Sequence, residues 1–167
     1  MGIISRFKDI MSANINALLD KAEDPEKMID QYLRNLESDL AKVKQETASV
    51  MAEEAKAKRQ LDECTAEVAK MQSYAEKAVL AGNDEDAKRF LMKKKELVVK
   101  QTSLQETYTL AAENAAKMRQ MHQKLVGDIS QLNSRRDAIK AKIAVAKTQQ
   151  TINKIGASVD GAAENLS

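Results

Sequence analysis

The 167-residue chain is 43% hydrophobic but only 3% aromatic, with 5 glycines, 1 proline and 1 cysteine, and its 27 basic residues nearly balance 25 acidic ones. That balance belongs to long helices and coiled coils; it argues against a pocketed enzyme core, a disulfide scaffold or a global basic field for nucleic acid. A lone Cys64 fits a reducing compartment, no stretch approaches the roughly 18 apolar residues of a membrane span, and Arg6, Lys8 and Asp9 interrupt any signal-peptide core, so a cytosolic protein with peripheral membrane contact is expected.

The first element is a short amphipathic segment, Met1 to Ala22. On a helical wheel Ile3, Ile4, Phe7, Ile10, Met11, Ile15 and Leu18 fall within roughly 140° of one another, with Ser5, Asp9, Ser12, Asn16 and Asp20 opposite. Arg6 and Lys8 flank the apolar side, where their stems can snorkel toward phosphates. The pattern predicts a membrane-binding helix over 1–22, the alternative being a short helix docked on its own hairpin through Phe7 and Ile10. Three basic residues, Arg6, Lys8 and Lys21, against Asp9 and Asp20 give weak attraction to anionic lipid, helped by the free amino terminus. One copy would bind marginally and many copies on a polymer would bind by avidity.

Pro25, the single proline, opens the next element. Asp24 is placed to cap it, Pro25 suits the first helical position and Glu26 complements the positive helix end. Steps of four and three from Ile29 reach Leu33, Leu36, Leu40, Val43, Thr47, Val50, Glu54, Ala57, Leu61, Cys64, Val68, Met71, Ala75 and Ala78, and only Thr47 and Glu54 are polar. A period of about 3.5 held this long predicts a coiled-coil helix over 25–81. Gly82, Asn83 and Asp84 then form a tight turn, and a second helix is expected over 85–155. Its seam runs Phe90, Lys94, Leu97, Gln101, Leu104, Tyr108, Ala111, Ala115, Met118, His122, Leu125, Ile129, Leu132, Arg136, Ile139, Ile143 and Ala146.

Folding back at Gly82 sets Ala78 against Phe90, Met71 against Leu97, Cys64 against Leu104, Val43 against Leu125 and Ile29 against Ile139. The same register places Thr47 beside His122 as a polar layer in the seam. Such a hairpin is about 85 Å long. Residues after about Ile143 project past the start of the first helix, and Leu91, Val98, Ala112 and Val126 recur beside the seam, so self-association is expected. After Ile155 the period lapses, and 156–167 reads as a flexible linker or tail.

The expected fold is therefore all-α: a long antiparallel two-helix coiled-coil hairpin preceded by a short amphipathic helix. His122 has no acid, cysteine or second histidine beside it, and Cys64 sits at a seam position, so both read as packing. Two basic stretches, Lys88, Arg89, Lys93, Lys94 and Lys95, and Arg135, Arg136, Lys140, Lys142 and Lys147, read as solvated or subunit-contacting faces. No phosphate loop, metal motif or nucleophile elbow is present in the sequence, so no catalysis, cofactor or metal is expected.

The run Met1-Gly2-Ile3-Ile4-Ser5-Arg6-Phe7-Lys8-Asp9-Ile10, the run from Asn14 to Met28 and the turn Ala81-Gly82-Asn83-Asp84 resemble the family of phage shock protein A and the vesicle-inducing protein in plastids. The resemblance extends to about Ala157, including Lys140-Ala141-Lys142 and Ala146-Lys147-Thr148. It implies an ESCRT-III-like envelope-stress protein that polymerises and remodels the inner face of the bacterial plasma membrane, with lipid engaged by the N-terminal helix. It also implies two further partner classes, an AAA+ transcription activator and stress-sensing membrane proteins; family members usually continue past the linker with one or two more helices that pack across neighbouring hairpins, a departure since this sequence runs to Ser167.

Overall fold

The computed structural model describes residues 2–166, with side chains through residue 162; Met1, with the amino terminus counted above, and Ser167 lie outside the described residues. A 3₁₀ turn over Ile3–Arg6 leads into α1 (Phe7–Ser12), followed by α2 (Ile15–Asp20), α3 (Pro25–Leu80) and α4 (Asp84–Leu166). The two long helices pack as a hairpin.

α3 starts at Pro25, where the missing proline N–H costs nothing, and the Asp24 carboxylate accepts the Lys27 N–H at 3.2 Å. It ends in a Schellman motif. Asn83 N–H reaches back to the Ala78 carbonyl at 2.8 Å and Gly82 N–H to Val79 at 3.0 Å, which needs the left-handed backbone that Gly82 adopts at φ 75°. Asn83 then turns its side chain forward to accept the Asp86 N–H at 3.1 Å, with Asp84, Glu85 and Asp86 in the first turn of α4. A Cβ at Gly82 meets open space, so Gly82→Ala adds backbone strain alone and should lower stability by about 1–2 kcal/mol. Gly127, inside α4 and also in open space, should respond oppositely, with Gly127→Ala stabilising by about 0.5–1 kcal/mol. Denaturant melts of the two variants test the pair, and a same-sign shift contradicts the turn assignment.

The chain divides into two units. One joins the N-terminal residues through Met11 to Ala41–Gln123, and contains the hairpin turn. Here the Tyr74 and Phe90 rings meet tilted at 53° with 5.4 Å between centroids, Lys94 donates to Gln72 at 2.8 Å, Gln101 donates to Thr65 at 2.9 Å, and the buried Cys64 thiol donates to the Leu97 carbonyl at 3.3 Å. The Tyr74–Phe90, Gln72–Lys94 and Thr65–Gln101 pairings lie within about a turn of the register read from the two seams, whereas Cys64 reaches Leu97, seven residues and about two turns from its expected partner Leu104. The other unit joins Ser12–Leu40 to α4 from Lys124 onward. Its core is Ile15, Leu19, Ile29, Leu33 and Leu132, with Met28, Tyr32, Leu36, Ile129 and Ile139 packed around it.

Every seam position of α3 from Ile29 to Ala78 is buried or half-buried, and so is the α4 seam apart from His122, Ile143 and Ala146. His122 is the correction. Met121 is 0% exposed in its place, His122 faces out, and the Thr47 hydroxyl donates to its own helix at the Val43 carbonyl, 2.5 Å away. No Thr47–His122 layer forms. The physical reason is a third element: Phe7 lies under Lys117, one turn before Met121, so the buried face of α4 widens beyond a two-helix seam and turns toward Met118 and Met121.

Two boundaries differ from the sequence reading. The described part of the expected helix, residues 2–22, holds a 3₁₀ turn and two short helices instead of one helix, because Asn14 leaves the helical region (φ −110°, ψ 95°) to cap α2. The linker expected over 156–167 is helix to Leu166. No proline intervenes there, and the roughly 1 kcal/mol penalty of Gly156 or Gly161 does not by itself end a helix.

Candidate membrane-binding segment

The first half of the amphipathic segment belongs to the unit with the hairpin turn. Ile3 is 2% exposed and Ile10 is also buried, while Ile4, Phe7 and Met11 are half-buried. The free N–H of Ile3, at the start of the 3₁₀ turn, donates to both Glu46 carboxylate oxygens at 3.1 and 3.3 Å. A carboxylate there satisfies an orphan donor and the positive helix end together. Gly2 suits that approach, since a Cβ would come within 3.1 Å of Glu46 Oε2. The Lys117 ammonium sits over the Phe7 ring, 5.5 Å from its centre, a cation–π contact.

The second half belongs to the other unit. Asn14 Oδ1 accepts the Ala17 N–H at 3.1 Å, which directs Ile15 and Leu19 into the core beside Ile29, Leu33 and Leu132. The polar side of α2 is held by α4: Gln131 donates to Asn16 at 2.9 Å, and Arg135 reaches Asn16 at 3.3 Å and Asp20 at 3.5 Å. Lys124 Nζ donates to the Ala13 carbonyl at 2.9 Å and pairs with the buried Asp128 at 2.9 Å. That carbonyl is left without a helical partner by the break before Asn14, so the lysine closes a gap the local backbone creates.

Of the residues the sequence assigns to lipid, Ile3, Ile10 and Ile15 are therefore buried in protein, Ile4, Phe7 and Met11 are half-buried, and Arg6, Lys8 and Leu18 are exposed, Leu18 at 44%. Leu19, absent from the sequence-derived set, is buried. Its spacing of four from Ile15 was the available signal; the roles of Glu46, Lys117 and Lys124 had none, because nothing local marks a polar residue more than thirty positions away as an anchor.

The basic stretches separate in the same way. Arg89 pairs with Asp86, Lys93 with Glu96 at 3.7 Å, and Arg136 with Asp30 at 3.6 Å, whereas Lys140, Lys142 and Lys147 stand exposed. Among the described residues no helix is long and apolar enough to cross a membrane, and no group of three His, Cys, Asp or Glu is placed to hold a metal.

An all-α hairpin carrying an amphipathic N-terminal segment on its flank is the class of protein this geometry defines. The chain belongs to the PspA/IM30 family, whose model matches residues 2–167. It is 62% identical over 167 residues to the phage shock protein A homolog of Bacillus subtilis, covering all of this chain and 74% of that protein. It is 28% identical over 152 residues to the membrane-associated protein Vipp1 of Nostoc punctiforme, covering 91% of this chain and 59% of that protein. It is also 27% identical over 158 residues to LiaH of Bacillus subtilis, covering 95% of this chain and 70% of that protein.

Proposed function

We propose that this chain is a non-catalytic, peripheral membrane-binding and self-assembling envelope-stress protein that stabilises or remodels the bacterial inner membrane from its cytoplasmic face. The observation that carries the reading is the N-terminal segment. Seven apolar residues are gathered on pieces of six residues or fewer, outside the long helices and joined to them by the short connection before Pro25. Membership of a family that includes proteins named as membrane-associated supports it.

Lipid binding on this reading is an exchange. Ile3, Ile10 and Ile15 leave the protein and bury the same surface, about 1 kcal/mol each for partial burial, at the headgroup boundary. Because burial is traded and not newly gained, the docked form lowers the apparent affinity of a single copy by its population. Many copies on an assembly restore binding by avidity, and packing defects in a stressed bilayer favour the released form.

Glu46 is the test of the exchange. Glu46→Ala removes a charge-assisted hydrogen bond of about 1.5 kcal/mol and should raise binding to liposomes about tenfold. Glu53→Ala, which removes an exposed acid from the same helix, controls for charge. Equal gains in the two variants would refute the docked-state competition.

A regulatory role, capture of an AAA+ transcription activator, is favoured by the exposed apolar side chains Val79, Leu80, Leu91 and Met92 around the hairpin turn. Activator pull-down should then survive disruption of the N-terminal segment and fail with Leu80→Asp combined with Met92→Asp.

A further inference from the structure

The distal part of α4 has an unusual charge pattern. Between Asp137 and Asp160 stand Lys140, Lys142, Lys147 and Lys154 with no aspartate or glutamate, the longest acid-free interval in the sequence. Every residue from 140 to 160 is exposed. Val145, Ile152, Ile155 and Val159 are each more than half exposed and share one face, with Ala141 and Thr148 in the intervening places. This stripe lies roughly 160° around the helix from the side that buries Leu132, Ile129 and Ile139. The hairpin therefore has no use for it.

Steps of four and three suit a second copy as well as a lipid surface, and charge decides between them. Two such stripes brought together would set four lysines against four with no acid on either to offset them. An anionic bilayer offers the complement. Lys140 and Lys147 flank the stripe on one side and Lys142 on the other, and long stems let their ammonium groups reach phosphates while the aliphatic side chains sit at the acyl boundary. We infer that residues 140–160 form a second lipid-binding face, specific for anionic phospholipid surfaces and separate from the N-terminal segment. It deepens the membrane reading above but rests on different residues.

The test uses the full chain, with flotation on phosphatidylglycerol-containing vesicles and on phosphatidylcholine vesicles. One variant replaces Lys140, Lys142, Lys147 and Lys154 with Gln; another replaces Ile152, Ile155 and Val159 with Ser; each is also combined with Phe7→Glu. All seven positions are exposed, so circular dichroism should show the fold intact. Each set should lower partition onto the anionic vesicles about tenfold or more at low salt, and should remove the weak, salt-sensitive binding that remains in Phe7→Glu. Unchanged partition in both sets overturns the inference. So does a fall in sedimentation coefficient without lipid, which would assign the face to a second copy. If Phe7→Glu binds like the parent chain while the lysine set is lost, the N-terminal reading fails and this one stands.

Discussion

Phe7→Glu should lower partition onto anionic liposomes by on the order of a hundredfold per copy while leaving helix content unchanged. In the bilayer, the substitution forfeits about 2–3 kcal/mol of ring burial and places a carboxylate at the acyl boundary. In the docked form it exchanges a cation–π contact with Lys117 for an ion pair of comparable strength, so the docked state changes little. The loss is therefore on the bound side, and avidity magnifies it further in an assembly. Phe7 is half-buried at the edge of the hairpin, so α3 and α4 lose little packing. Deleting residues 2–22 should reproduce the loss. Sedimentation with liposomes equal to that of the parent chain would remove the N-terminal segment from the function.

Leu132→Ala should have the largest effect on stability, about 2–5 kcal/mol, and should move lipid binding the other way. Leu132 is 0% exposed and is the one buried member from α4 in a cluster otherwise supplied by α2 and α3. Removing it leaves a cavity that Ile15 and Leu19 from a six-residue helix cannot fill without shifting. Denaturant unfolding should report the loss, and hydrogen exchange should locate it at 15–19 and 29–33. Because α2 depends on that core, its release becomes easier and liposome partition should rise. A destabilisation below about 1 kcal/mol, or a fall in partition with the fold retained, would contradict this assignment.

The two variants mark how far the sequence could be read. The 3.5-residue spacing identified the buried face of α3 through Ala78, because a helix fixes which side chains share a side once its period is known. Asp24-Pro25 and Gly82-Asn83 were equally legible, since capping depends on residues within one turn. Met121 takes the buried place expected for His122 for a reason outside that helix: Phe7 packs under Lys117, one turn before Met121, and broadens the buried face. Asn14, between Ser12 and the apolar Ile15, was a readable cap that the continuous apolar wheel concealed.

By itself the sequence determined the hairpin, its turn and the amphipathic character of the first segment, all consequences of short-range periodicity and backbone preference. Where that segment's apolar face goes was decided only in three dimensions. An apolar stripe is indifferent to whether lipid or protein covers it, and the choice rests on Glu46 at the Ile3 N–H, Lys117 over Phe7, Lys124 at the Ala13 carbonyl and Leu132 behind Ile15 and Leu19. These partners lie from about forty to more than a hundred positions away along the chain, where no local pattern reaches.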